Sequence, residues 1–182
     1  YGLINHIDDQ LTRLINEVMP CLQDTIIVFT SDHGEMLGDH YMWKKCRPYE
    51  GAARVPLLIR FPARFGVRPG AVIDAPVCLE DIMPTLLDAC GLPVPASVGG
   101  RSLMPLIAGA GGLDREFVEI RHRSFYPMLE GFFALTDGKR KFVWYADAPT
   151  ERFQFFDLEN DPRELIDEIA NPAYADEAAL WH

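Results

Sequence analysis

The chain has 182 residues, 48% hydrophobic and 24% charged, with a formal net charge of −10. That size and balance describe one globular domain, or a domain with a small appendage, and exclude a low-complexity or collagen-like chain. The acidic excess excludes nucleic acid as a partner, because a polyanion-binding surface is basic, and no apolar run approaches the roughly 20 residues of a membrane span, so no membrane is expected either.

In chain order, Leu3, Ile4, Ile7, Leu11, Leu14, Ile15 and Val18 recur at spacings of three and four. They predict a helix with one apolar face, ended by Pro20. No capping residue precedes the pattern, so the chain is expected to open inside a helix. Nothing then follows about targeting, and cytoplasmic and periplasmic locations both stay open. Thr25 to Thr30 form a short β-branched and aromatic run without polar alternation, which predicts a strand buried on both faces, as in a parallel sheet. Val55 to Phe61 predict a second strand, with Pro56 at its edge. A turn-rich loop with Gly66, Pro69 and Gly70 follows. LEDIMPTLLDACG then predicts a helix with Ile82, Leu86, Leu87 and Cys90 inward, Pro84 in its first turn and Gly91 as its stop. A Pro/Gly loop with one short helical turn completes an α/β part covering residues 1–112. From Glu116 the texture changes. FVEIR, FFALTD, KFVWY and FQFFD, with Asp137-Gly138 as a turn, predict three or four antiparallel strands. A terminal helix and loop complete a small subdomain at 113–182. Its aromatics, Phe132, Phe133, Phe142, Trp144, Phe153, Phe155 and Phe156, are expected to form a core between sheet and helix.

The chemistry concentrates where the first strand ends. Ligands of α/β sheets gather beyond the carboxyl ends of strands, and there stand Ser31, Asp32, His33, Gly34 and Glu35. In a continuing strand Asp32 and His33 would face opposite ways. If Gly34 permits a sharp turn, both can face one point. A carboxylate and a neutral imidazole suit a divalent cation. Lys45 offers a point charge for an anionic oxygen, and His40 a proton or hydrogen bond. Composition leaves a solvated loop open beside this reading. His6 reads as part of a solvated helix face. His122, between Arg121 and Arg123, reads as a basic patch or as a surface strand end. Glu50 and Arg54 can pair if their stretch is helical. Cys21, Cys46, Cys78 and Cys90 form no C-x-x-C pair and are expected to be free and mostly buried.

The run TIIVFTSDHGEMLGDHYMWKKCRPYEGAARVPLLIRFP resembles the C-terminal metal-site motif of the sulfatase family, in the alkaline-phosphatase superfamily. HIDDQLTRLI before it, and EDIMPTLLDACGLPVP, GRSLMPLI and FDLENDPREL after it, resemble ordered segments of the same family, so the likeness covers the whole chain. The resemblance implies the C-terminal portion of an alkaline-phosphatase-like mixed α/β sheet flanked by helices, followed by a small antiparallel sheet with a terminal helix. It implies Asp32 and His33 as metal ligands and Lys45 as the lysine that binds the sulfate group. His40, grouped with Lys45 as a catalytic candidate, and Glu50 match motif positions that either support the neighbouring site residues or hold the loop. Calcium is the implied ion, with manganese or magnesium as alternatives.

The family's nucleophile is a formylglycine made within C/S-x-P-x-R. Cys46-Arg47-Pro48 begins like that motif but lacks its arginine, and its Pro-Tyr-Glu already belongs to the metal-loop motif. Cys46 is therefore rejected as nucleophile. The isolated chain is expected to have little activity, to act as part of a hydrolase for small-molecule sulfate or phosphonate esters, and to form homo-oligomers through exposed sheet edges.

Overall fold

A computed structural model describes residues 1–123, 130–145 and 150–181. It divides into two units, residues 1–30 with 56–71, and residues 31–55 with 72–182. His182, the last residue of the expected terminal segment, lies outside the described residues.

In the first unit, helix α1 spans Gly2–Val18 and passes into a 3-10 turn at Met19–Asp24 with Pro20 in its first positions, where a missing N–H costs nothing. Strand β1 (Ile27–Thr30) pairs antiparallel with β2 (Leu57–Arg60), placing Ile27 opposite Arg60 and Thr30 opposite Leu57. The guanidinium of Arg60 donates to the carbonyls of Leu22 (2.6 Å) and Thr25 (3.1 Å), which ties the turn to the strands. Burial on both faces is not observed, since Phe29 and Leu58 are exposed and the partner is antiparallel. A continuous apolar run records what a strand can bury, while the neighbours decide what is covered.

The second unit carries a meander of four antiparallel strands, β3 (Val118–His122), β4 (Phe132–Thr136), β5 (Arg140–Tyr145) and β6 (Arg152–Asp157), in that order. The β4–β5 turn follows its residues: Gly138 takes φ 89°, and the Asp137 carboxylate accepts from the backbone N–H of Lys139 and Arg140. Period-two alternation splits the aromatics between two faces. Phe142, Phe153 and Phe155 meet Tyr174, Ala178 and Trp181 beside helix α5 (Ala175–Trp181). Phe132 and Phe156 lie on the other face with Ala134, Val143 and Tyr145, beneath Met36, Tyr49 and Ala52. The expected single core between sheet and helix is thus two cores, and Phe133 and Trp144 stack half-exposed with ring centroids 5.4 Å apart.

Between these segments, a 3-10 turn at Leu79–Asp81 leads into helix α3 (Ile82–Ala89), with Pro84 in the first turn and Gly91 at φ 68° beyond the end, both as expected. The covered side differs from expectation. Pro84 and Thr85 are buried, whereas Cys90 is exposed. Polar docking explains this. The Asp81 carboxylate accepts from the backbone N–H of Cys78 and Arg101 and, through both its oxygens, from Arg115 Nη2, at 2.7–2.9 Å. The Thr85 hydroxyl accepts from the Leu103 N–H just before helix α4 (Met104–Ile107). All four cysteines are free, but none is fully buried: Cys21 and Cys90 are exposed, Cys46 and Cys78 half-buried.

Candidate functional site

The site begins where the chain leaves β1. The Ser31 hydroxyl donates to the His33 carbonyl (2.8 Å), and the His33 N–H donates to the Asp32 carboxylate (3.1 Å), so the strand breaks into a turn. The Gly34 N–H donates to the Ala52 carbonyl (2.9 Å). A Cβ at Gly34 would run into the Gly51 carbonyl of helix α2 (Glu50–Ala53), so only glycine allows this approach.

His33 Nδ1 lies 2.7 Å from the Gly34 carbonyl, and Nε2 lies 2.6 Å from Lys45 Nζ. A carbonyl only accepts and an ammonium only donates. Nδ1 therefore carries the proton, and Nε2 presents its lone pair to Lys45. Asp32 Oδ2 stands 3.6 Å from the same Nε2. The structure thus brings together Asp32, His33 and Lys45, with Asp32 and Lys45 open to solvent.

The loop carrying Lys45 is tightly wound. Met36 N–H donates to the Lys44 carbonyl (2.9 Å), Gly38 N–H to the Met42 carbonyl (2.8 Å), and Lys44 N–H to the Glu35 carboxylate. Leu37, His40, Tyr41, Lys44 and Cys46 all have positive φ, between 49° and 68°. Such a cluster in the left-handed region costs conformational energy and persists only where the surroundings impose it.

His40 is placed apart from the trio. Its ring stacks on Tyr49 with centroids 4.1 Å apart, and its Nε2 donates to the Arg163 carbonyl (3.0 Å). Glu50 is likewise turned inward, accepting from Lys141 Nζ at 2.7 Å, with its other oxygen 3.7 Å from Arg54 as their spacing allowed.

Lys141, Arg163 and Glu164 are site-supporting residues that sequence reasoning missed. Lys141 is completely buried, and its three protons go to the Pro48 carbonyl (3.0 Å), Glu50 (2.7 Å) and Glu164 (2.7 Å). The second Glu164 oxygen accepts from the Glu50 N–H (2.6 Å). Burial pushes the Glu164 carboxyl up, against the pull of Lys141 and the Glu50 N–H. The available signal was alternation: Lys141 shares a strand face with Val143 and Tyr145, so a lysine occupies a core position. Nearby, Asp157 behaves oppositely. Burial opposes its charge, yet hydrogen bonds from Tyr174 and Asn160 and the Arg140 guanidinium bring it down to about 2.

Other sequence candidates do not converge. Arg121 pairs with Glu119 and covers the Phe133 ring, while His122 lies beside Phe132, so the two do not share one basic patch. His6 is exposed on α1.

As for a metal, no group of three or more His, Cys, Asp and Glu side chains converges among the described residues. Asp32 and His33 fit two adjacent positions around one divalent ion, short of the six or more donors hard ions take. Nε2 offers a single lone pair, so an ion accepted there displaces the Lys45 ammonium from it.

Residues 38–181 match the family model described as N-sulphoglucosamine sulphohydrolase, C-terminal. The chain is 40% identical over 177 residues to an arylsulfatase of Clostridium perfringens, covering 96% of this chain and 36% of that protein. Among solved structures it resembles BT4656, determined in complex with its substrate D-glucosamine-2-N,6-O-disulfate (TM-score 0.89, 28% identity, 97% of this chain and 37% of that one). It also resembles the phosphonate monoester hydrolase of Agrobacterium radiobacter (TM-score 0.84, 30% identity, 100% and 38%). The chain spans about a third of the length of the curated relatives it matches.

Proposed function

The chain belongs to the sulfatase family, whose C-terminal part it matches, and on that footing we propose that it supplies one share of a metal-assisted site that hydrolyses small-molecule sulfate esters. The observation that carries the proposal is that the Lys45 ammonium and the Asp32 carboxylate stand 2.6 Å and 3.6 Å from the lone pair at His33 Nε2.

In this reading Asp32 and His33 hold the divalent ion, calcium first, with manganese or magnesium as alternatives. The ion would supply Lewis-acid polarisation of the bound ester. The Gly34 carbonyl fixes the His33 tautomer that leaves Nε2 able to ligate. Lys45, released from His33, binds an anionic oxygen of the ester and stabilises charge developing toward the leaving group. His40, engaged by Tyr49 and Arg163, steadies the loop. No cysteine or serine of the 182 residues lies in C/S-x-P-x-R, so in this reading the attacking group is supplied from outside them and the chain alone is expected to be inactive. Phosphonate monoester hydrolysis is the second reading, favoured by the likeness to the Agrobacterium radiobacter enzyme over the full chain.

The test is hydrolysis of an aryl sulfate and an aryl phosphonate by this chain and by a longer protein containing it, with calcium, manganese, magnesium or chelator. Metal-dependent turnover by the longer protein alone is expected, and the preferred ester decides the subclass. Efficient turnover by the 182-residue chain would overturn the reading. We also propose self-association through the apolar face of α1, where Leu3, Ile4, Ile7 and Leu14 stand exposed. Light scattering should show mass rising with concentration, and a constant monomer mass would refute it.

A further inference from the structure

We infer that Arg163, Glu164 and Lys141 are positioning residues that grip the 39–50 loop on both sides of Lys45 and so set where its ammonium stands. The inference rests on the reading of Asp32, His33 and Lys45 as the reacting site, and it names the groups that aim it.

On the incoming limb, the Arg163 carbonyl accepts from His40 (3.0 Å) and the Arg163 guanidinium donates to Asp39 (3.1 Å). On the outgoing limb, Glu164 accepts from the Glu50 N–H (2.6 Å), while Lys141 donates to the Pro48 carbonyl and to the Glu50 carboxylate. Two adjacent residues of the FDLENDPREL segment thus hold both limbs, and Lys45 lies between the held positions. The turn that presents them is itself built for the purpose. Glu164 takes φ 56°, which is unfavourable for a residue with a side chain. The Asp161 carbonyl and carboxylate accept from the N–H groups of Glu164 (3.0 Å) and Ile166 (2.8 Å).

Adhesion alone does not require this arrangement. Met36, Tyr49 and Ala52 already pack the loop against the sheet, and a buried ion cluster is often no more stabilising than apolar residues of the same volume. What directional bonds add is position. Apolar contacts tolerate sliding, whereas a lysine whose three protons all have fixed acceptors does not. The left-handed residues on either side of Lys45 need such an external hold to persist.

The experiment uses the full chain with Lys141→Met and Glu164→Gln combined, which removes the sealed pair of charges and leaves the partly exposed Glu50 carboxylate to Arg54, 3.7 Å away. Backbone amide exchange is read by NMR over residues 39–50 and over the sheet, together with the Lys45 ammonium resonance. The expected result is exchange about tenfold or more faster in 39–50, loss of the Lys45 ammonium signal, and unchanged protection in β4, β5 and β6. Unchanged loop exchange and a retained Lys45 signal beside an intact sheet would overturn the inference. If the double variant unfolds, Arg163→Ala decides, because that guanidinium is exposed. Exchange about two- to fivefold faster at 39–42 is expected, and no change there would overturn the inference. These readings need no turnover, so they stand apart from the ester assay.

Discussion

Two trios of ionisable groups lie in one loop and its support, and they live in opposite solvents. Asp32, His33 and Lys45 face water, with the Asp32 side chain 85% exposed and the His33 side chain 38%. Lys141 and Glu164 are sealed, at 0% and 1%, with Glu50 beside them at 22%. Water decides what each trio can do. The exposed groups have spare valence: a lone pair, free carboxylate oxygens and an ammonium that can change partners. The buried groups have none, because an unpaired charge there would forfeit its solvation. In the proposed reading, chemistry falls to the first trio and geometry to the second.

The largest break in that comparison is Lys141→Ala. It leaves the buried Glu164 without its cation and Glu50 with only the exposed Arg54, 3.7 Å away, and should cost about 3–5 kcal/mol in denaturant unfolding. A loss under about 1 kcal/mol would mean that water already reaches the triad. Gly34→Ala comes next. Its methyl would meet the Gly51 backbone, which has no flexible end to yield. About 2 kcal/mol is expected, with faster exchange of the Gly34 amide, which is bonded to Ala52.

Acid separates two buried carboxylates of opposite sign. Asp157 lies at about 2 when folded, below its unfolded value, so its contribution is complete above roughly pH 4 and disappears as pH falls through 2. Glu164 is shifted up, so its cost is present at neutral pH and fades as pH falls toward its unfolded value. Urea midpoints should drop by the equivalent of about 1–2 kcal/mol between pH 4 and 2. Asp157→Asn should flatten that drop, and a drop that survives the substitution assigns it to other groups. The smallest effect on stability belongs to the exposed trio. Lys45→Met should change unfolding by less than about 0.5 kcal/mol, yet lower turnover of the longer protein by about a hundredfold or more. Equal loss of stability and turnover would make Lys45 structural.

Some of this was written locally and some was not. The α1 spacing, the four short strands, the Asp137-Gly138 turn and the Gly91 stop are each set by neighbouring residues, so a reader of the chain finds them. Asp32, His33 and Lys45 stand within one ordered motif, and their convergence was legible for the same reason. Alternation shows which residues share a strand face but not what covers that face. Alternation therefore does not reveal that Phe132 and Phe156 join a second core under Met36, Tyr49 and Ala52, nor that the apolar run of β1 leaves Phe29 exposed. Cys90 fits the apolar stripe of α3, yet the helix docks through Asp81 and Thr85, whose partners Arg101, Leu103 and Arg115 lie well along the chain.

The sequence by itself determined the family, the local elements and the three groups of the exposed trio, because these depend on near neighbours and on residue type. Only the tertiary structure decided that Lys141 is buried, that Glu50 and His40 turn away from the trio, and that Arg163 and Glu164 hold the loop. Those facts depend on residues 91 to 124 positions apart becoming neighbours, and on the loss of water that makes their charges bind one another.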